Sequence, residues 1–459
     1  MTTNTDTSPK NVLAVLNCVV DHLYAAHSVN HEKMEEFLKS LPETLGLPQM
    51  ETPRAGDTVL LSQSQLEKAA KTALQISADF NDAATTLQDI FGTPSLAPGG
   101  SLANTMATIV TSSKNGTPLV NTTILTVLDE GEAGDIFKNS YPEGVVLEDI
   151  VHGECLKVHV VPYDGDRSQF PTYSDHKPAH HPLSVPLFNM VKGGQYDEIY
   201  IEGFLADAPD FENDAKTLLT AVSAGNQHRD MMGQTPIRLN ITAGAQHICN
   251  NPVFRNFVKL ASELTDVSIH ANTGEFRRLL DNDENWRVEA QKDFQGLSGR
   301  ELEAAKKASN AYRAAKTQAN IHTIEKFMNE WGSNIPYDLE CVVTDGGNTG
   351  YVVNNDHYYT FTPDPIDPST IVNKVGAGDA FMAYYRLGRE LGLSQIESMK
   401  AGGIGATHTL QQEEARPEFF ETHDDLSGPV SLLKAKGLLD NSDTLRKIRE
   451  FPYITPENM

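Results

Sequence analysis

The sequence predicts an α/β protein of three layers, α/β/α, with a mainly parallel central sheet between helices and a small β-sheet lid. Three observations predict it. Six short apolar runs rich in β-branched residues, VLAVLN (12–17), TILTVL (123–128), EIYIEGFL (198–205), IRLNIT (237–242), DVSIH (266–270) and LECVVT (339–344), read as strands buried on both faces. Between them lie longer segments with helical spacing, such as SQLEKAAKTALQISADF and FVKLASELT, and alternation of this kind places helices on each side of a parallel sheet. Finally, LKVHVVPYDGDRSQFPTYSDH within residues 147–178 alternates apolar and polar residues about Tyr163-Asp164-Gly165-Asp166, a β-hairpin pattern, and DTVLLS (57–62) is a second candidate for the same cover sheet.

Residues 1–459 read as a single domain. Its core takes about 1–22, 64–146 and 179–459, and the lid segments take about 23–63 and 147–178. A charged helical insertion spans 276–338 and reads as decoration, with oligomerisation or partner binding as the alternative, and the tail from about 420 reads as a peripheral addition. The 37 Lys+Arg against 62 Asp+Glu give a formal charge of −25, which repels nucleic acid and anionic membrane surfaces, so neither is expected as a partner. The N-terminus lacks a secretion-signal pattern and no window approaches eighteen consecutive apolar residues, so a cytoplasmic setting is expected. The four cysteines, Cys18, Cys155, Cys249 and Cys341, show no C-x-x-C pair and read as reduced core residues.

Four short motifs carry the candidate chemistry. In NKVGAGDAFMAYYRLGRELGL (373–393), Phe381, Tyr384, Leu387 and Leu391 recur at three or four residues, which predicts a helix starting at Gly376, Ala377, Gly378 and Asp379. Such a start points backbone N–H groups and the positive helix pole outward, a site for an anion with an acid beside it. In PGGSLANTMATI, Gly99 and Gly100 precede another helix start, with Ser101 and Asn104 one turn apart; this is a binding loop or a plain capped turn. Strand DVSIH runs into ANTGE, where Asn272 and Glu275 share a helix face or form a simple cap. Strand LECVVT runs into TDGGNTG, with Thr344 and Gly346 in a turn suited to close backbone approach and equally to a simple hairpin. All of these lie where α/β sheets bind ligands, beyond the carboxyl ends of the strands.

Gly-Gly-x-x-x-Asn, Asn-x-x-Glu, Thr-x-Gly and Gly-Ala-Gly-Asp, in that order, closely resemble the PfkB or ribokinase-like family of carbohydrate and nucleoside kinases, over about residues 12–415. VLNCVVD adds Asn17 and Asp21, similar to the Asn-x-x-x-Asp that meets the ribose hydroxyls in the adenosine kinase branch; a surface carboxylate is the plain alternative for Asp21. The resemblance implies a ribokinase-like fold and transfer of the ATP γ-phosphate to a hydroxymethyl group. It implies Asp379 as catalytic base and the amides of Gly376, Ala377 and Gly378 as anion hole. Asn17, Asp21, Gly99, Gly100, Ser101 and Asn104 would meet the acceptor, a sugar or nucleoside, with an adenosine-like acceptor favoured. Asn272 and Glu275 would hold Mg²⁺ largely through water, Thr344 and Gly346 would touch the nucleotide phosphates, and the helix around 400–410 would lie near adenine. The lid would exclude water and offers a surface for a homodimer.

Two departures stand out. Asn373 and Lys374 replace the usual Asp-Thr of a segment that shapes a monovalent-cation site in many members. K⁺ stays a candidate cofactor that this departure calls into question, and Lys374 is the candidate to supply a fixed positive charge near the phosphates instead. The TDGGNTG turn is one residue longer than common versions. Other readings remain: a kinase for a free sugar such as fructose, ribose or a keto-deoxy sugar acid, and a catalytically silent nucleotide-binding regulator. His228-Arg229-Asp230 imitates a protein-kinase motif, but Thr235 stands where its asparagine belongs and no DFG follows. His176, His180 and His181 lack a carboxylate or cysteine at metal spacing and read as a solvated loop.

Overall fold

The computed structural model describes residues 9–47, 52–53, 59–76, 83–114, 117–128, 130–152, 155–163, 166–173, 184–280, 305, 309–333, 335–372, 374–412 and 426–439. The chain opens with β1 (Lys10–Val15), β2 (Val19–Leu23), α1 (His31–Thr44), β3 (Leu61–Ser62), α2 (Gln63–Ala73), α3 (Ala83–Phe91), β4 (Ser95–Pro98) and α4 (Ser101–Val110). It continues through β5 (Ser113–Lys114), β6 (Thr117–Pro118), β7 (Val120–Leu128), α5 (Glu132–Asn139), β8 (Val146–His152), β9 (Leu156–Tyr163), β10 (Asp166–Tyr173) and α6 (Ser184–Val191). Next come β11 (Glu198–Glu202), α7 (Phe211–Met231), β12 (Arg238–Thr242), α8 (Gln246–Asn250), α9 (Pro252–Ser262), β13 (Asp266–Asn272), α10 (Thr273–Leu279) and α11 (Asn310–Phe327). The last elements are β14 (Leu339–Thr344), β15 (Gly350–Val353), β16 (Tyr358–Phe361), α12 (Ala377–Glu390), α13 (Gln395–Leu410), β17 (Leu426–Ser427) and α14 (Pro429–Ala435).

All six apolar runs become strands of one nine-stranded sheet, ordered β16-β15-β14-β13-β12-β11-β1-β7-β8. Every pairing from β8 to β14 is parallel, and β15 and β16 return antiparallel. Helices on both faces explain why these strands carry so little polar alternation. On one face α6, α7, α9, α10 and α11 bury Val191, Leu218, Phe257, Phe276 and Phe327 against Leu13, Ile199 and Ile269. On the other, α4 and α12 bury Leu102, Met106 and Met382 against Val12, Ala14 and Tyr200. The register aligns Glu202 with Thr242, Thr242 with His270, and Asn272 with Thr344, so the strand ends form one rim.

The lid is a five-stranded sheet, β3-β10-β9-β2-β4, and it is larger than the sequence suggests. It starts at Val19, and α2 and α3, expected in the core, belong to it. Leu66, Ala69, Ile90 and Phe91 pack with Phe37, Val161 and Phe170 as a separate apolar cluster. Residues 146–152 go the other way: β8 extends the main sheet beside β7, and the lid resumes at Leu156. Both differences have one cause, since periodicity reveals that a segment has an apolar face and not which sheet that face meets. The β9–β10 hairpin pairs Tyr163 with Asp166 as expected. Its turn residues, Asp57 and Thr58 of the second lid stretch, and the histidines at 176, 180 and 181 fall outside the described residues.

Three peripheral readings are corrected. Of the 276–338 insertion, residues 281–304, 306–308 and 334 lie outside the described set, but Phe276, Leu279, Ile324, Phe327 and Trp331 are main-core residues. In the tail, Leu426, Val430 and Leu433 bury Leu387 and Leu391 on the outer side of α12. Cys18 and Cys155 form a disulfide, with Cα atoms 4.8 Å apart, while Cys249 and Cys341 are free and buried as expected. The parallel pairing of Val19 with Leu156 brings the two preceding cysteines side by side across 137 residues, a proximity no local spacing encodes. The His228-Arg229-Asp230 string proves structural: Arg229 lies in α7, donates to the carbonyls of Gly194, Tyr196 and Thr235, and pairs with Asp197 at 2.7 Å.

Candidate active site

Helix α12 begins as its sequence predicts. Gly376 takes the N-cap position at φ 80°, a left-handed conformation open to glycine, and no side chain caps the helix. Phe381, Tyr384, Tyr385 and Leu387 are buried and seat it. Arg386, about two turns beyond Asp379, donates through Nη2 to both oxygens of Glu198 at 2.9 and 3.0 Å. Burial works to raise the Glu198 carboxyl, but Arg386 and Lys10 outweigh it and hold it well below the usual range. This buried pair fixes the rotation of α12 against β11, and thereby the direction of Asp379.

The Asp379 carboxylate is held from α4. Ser101 Oγ donates to Oδ1 at 2.6 Å, Asn104 Nδ2 donates to Oδ2 at 3.0 Å, and Thr105 Oγ1 donates to the Asp379 carbonyl at 3.2 Å. Ser101 and Asn104 therefore position the acid as well as line a cavity. Gly99 backs the Asp21 carboxylate on β2, which a Cβ there would overlap, and does not itself line a cavity.

Glu202, at the carboxyl end of β11, escaped the sequence reading. It accepts from the Asn17 N–H at 2.9 Å and from the Leu102 N–H at 3.4 Å, joining the end of β1 to the first turn of α4. Burial, with the charge of Asp379 adding to it, pushes its carboxyl up to about 7 against those two N–H groups. Both ends of the buried strand EIYIE are acids, and the one at its carboxyl end, where α/β sheets bind ligands, was the available signal.

Two adjoining cavities meet here. The larger, about 400 Å³, lies under the lid and is lined by Asp21, Gly100, Ser101, Asn104, Glu202, Lys374, Gly376 and Asp379, with an apolar wall of Val19, Leu156, Val158, Val160, Pro171 and Phe204. The smaller, about 210 Å³, lies along the sheet rim and is lined by His270, Asn272, Glu275, Thr344, Gly378 and Asp379, among others. Asp379, Ser101 and Gly244 line both.

Asn272 caps α10, and its Oδ1 accepts from the N–H groups of Gly274 and Glu275 while Glu275 Oε2 accepts from the Asn272 N–H at 2.8 Å. The cap reading is thus correct in geometry, although both residues also face the smaller cavity. Burial first, and the Asp379 charge as well, push the Glu275 carboxyl up to about 7, whereas burial and Arg386 push His270 down to about 3. Among the described residues no three His, Cys, Asp or Glu side chains converge as a metal cage. The buried acid of Glu275 beside Asn272 fits a magnesium ion that keeps most of its water.

Not every expected residue joins the site. Asn17 lies against a separate internal cavity of about 30 Å³, beside Val15 and Leu205. Gly346 has φ 57° in an exposed hairpin turn and lines neither cavity, and TDGGNTG is the β14–β15 connection. Ala377 lines neither cavity, and Asn373 is outside the described residues. Lys374 lines the larger cavity and not the smaller. In α13, Gly402 and Gly405 admit the rings of Phe381 and Tyr384, so these glycines serve helix packing.

No protein-family model matches the chain, and no curated protein matches it. Among solved structures it is similar to a probable sugar kinase from Rhizobium etli CFN 42, at 18% identity and TM-score 0.60, over 94% of this chain and 99% of that one. It is similar to adenosine kinase from Sinorhizobium meliloti at 18% identity and TM-score 0.59, over 93% and 98% of the two chains. Adenosine kinase from Schistosoma mansoni in complex with 2-fluoroadenosine matches at 13% identity and TM-score 0.54, over 90% and 97%. The chain has the ribokinase-like fold that its motifs imply.

Proposed function

We propose that this protein is an ATP-dependent phosphotransferase that moves the γ-phosphoryl group to a hydroxymethyl of a small acceptor, with a nucleoside such as adenosine favoured. The observation that carries the reading is the position of Asp379 in the wall common to two cavities. An acceptor in the larger cavity and a nucleotide phosphate chain in the smaller would meet at this carboxylate.

In this reading Asp379 removes the proton from the acceptor hydroxyl, held in line by Ser101 and Asn104. The N–H groups at the start of α12, where Gly376 lines the larger cavity and Gly378 the smaller, would offset charge developing on the transferred group without rearrangement. Asn272 and Glu275 would hold Mg²⁺ through water, and the ion supplies charge neutralisation for the phosphates when bound. The lid strands cover the larger cavity and exclude water that would otherwise compete as acceptor.

The apolar lid wall favours a planar base over a bare sugar, which would leave those side chains unmatched. The acids Asp21, Glu202 and Asp379 also disfavour a sugar acid, against which Lys374 is the one basic residue among the described lining residues. Adenosine kinases among the similar structures carry adenosine or 2-fluoroadenosine. The described residues include no helix long and apolar enough to cross a membrane. The reading includes a cytoplasmic setting and a homodimer through the lid, where Leu96 on edge strand β4 is 38% exposed. The Cys18–Cys155 disulfide weighs against that setting, because disulfides persist mainly in oxidising compartments. Sedimentation velocity checks the dimer.

The deciding experiment is ADP release from ATP·Mg²⁺ with a panel of nucleosides, ketoses, ribose and keto-deoxy sugar acids. Turnover with a nucleoside supports the reading, and turnover with a free sugar alone moves the acceptor class. ATP binding without turnover on any acceptor overturns it in favour of a silent regulator.

A further inference from the structure

Along one side of α11, Lys316, Asn320 and Ile324 recur every fourth residue and so face the same way. Ile324 enters the main core, while the two polar residues reach the surroundings of the smaller cavity. Lys316 Nζ lies 2.7 Å from Asp345 Oδ1, the two side chains being 24% and 14% exposed. Thr273 Oγ1 donates to the same oxygen at 3.0 Å. One turn along, Asn320 Oδ1 accepts from Arg277 Nη1 at 2.7 Å, and both residues are buried.

These partners are not scattered. Asp345 directly follows Thr344, and Thr273 and Arg277 flank Glu275 on α10; Thr344, Asn272 and Glu275 all line the smaller cavity. A single helix, outside every motif singled out in the sequence, therefore ties down two segments of that cavity's lining, the Thr344 turn and the Asn272–Glu275 helix start. Unanchored, an exposed hairpin turn such as 345–349 opens easily. A turn ordered in advance spares the incoming phosphate chain that ordering cost.

We propose that α11 is a positioning element for the phosphate-binding cavity. Lys316 acts through Asp345 on the Thr344 turn, and Asn320 acts through Arg277 on the Asn272–Glu275 helix start. The inference rests on the phosphotransferase reading of the site.

The test uses the full chain and the variants Lys316→Met, Lys316→Arg and Asp345→Asn. ATP·Mg²⁺ affinity is measured by equilibrium dialysis, and KM for ATP and for the acceptor by steady-state kinetics. Loss of one charge-assisted bond predicts about a tenfold rise in Kd and KM for ATP in Lys316→Met and Asp345→Asn. Lys316→Arg should largely restore both, with acceptor KM and melting temperature little changed. Should Lys316→Met fold poorly, the isosteric Asp345→Asn carries the test. Unchanged ATP affinity in both disruptive variants, or equal losses toward ATP and acceptor, overturns the inference and leaves the kinase reading standing. A wild-type protein that neither binds nucleotide nor transfers phosphate overturns both.

Discussion

Ser101 and Asp379, 278 residues apart in the chain, meet through a hydrogen bond of 2.6 Å that joins the first turns of two helices. If this bond positions a base, Ser101→Ala should act on the chemical step. A hydrogen bond to a charged group is worth about 1.5–3 kcal/mol, so kcat is expected to fall about 10- to 100-fold. Acceptor KM should move far less. A dominant shift in KM would instead assign Ser101 to acceptor binding alone.

Asp379→Asn removes the proton acceptor while keeping the shape that Ser101 and Asn104 grip. The expected loss in kcat is about 10²- to 10⁴-fold with ATP binding retained. Because the Asp379 charge helps raise both Glu202 and Glu275, their carboxyls should titrate lower in the variant, which side-chain carboxyl NMR can follow.

Glu202 gives a pH dependence with a definite sign. Burial, with the Asp379 charge, holds its carboxyl up at about 7 in the folded state, above the ordinary 4.5, so between these the folded state holds a proton that the unfolded state has released. Stability is therefore full below about pH 4.5 and declines as pH rises through 7, by on the order of 3 kcal/mol from this group. The groups acting on it are the Asp379 charge and the N–H groups of Asn17 and Leu102, and Asp21 and Lys374 line the same cavity. Glu202→Gln should flatten this part of the profile, measured by melts from pH 4 to 8. A variant with the wild-type slope would leave the titration to other groups, Glu275 foremost.

The Cys18–Cys155 bond links the two places where the chain passes from the main sheet into the lid. Opening it with a dithiol, or replacing both cysteines by serine, should cost about 2–4 kcal/mol of stability and lower the melting temperature. Acceptor KM should rise as the two entry points of the lid lose their cross-link. Equal melts with and without reductant would refute the structural weight placed on this bond.

How much of this was legible in advance differs from element to element. The six main strands and the starts of α4, α10 and α12 were readable, because apolar runs, glycines and capping residues act over a few neighbouring positions. Asp379 was readable as an acid at a helix pole, and Asn272 and Glu275 as a pair on one helix turn. The extent of the lid was not. Helices α2 and α3 have ordinary amphipathic patterns, and only the docking of Leu66 and Phe91 on Phe170 assigns them to the smaller sheet. Glu202 sits in the strand EIYIE, whose local pattern carries no information on which acid meets a cavity.

The amino-acid sequence by itself determined the local order: which segments form strands, where helices begin, and which residues wait at their ends. Those properties follow from periodicity and backbone preference within a few residues. Only the tertiary structure decided that Ser101 grips Asp379, that Cys18 bonds Cys155, that Asn17 lines a separate small cavity and that Lys316 reaches Asp345. Each of these depends on strand register and helix docking between distant parts of the chain. Such contacts are set by how whole faces fit, and no short stretch of residues contains that information.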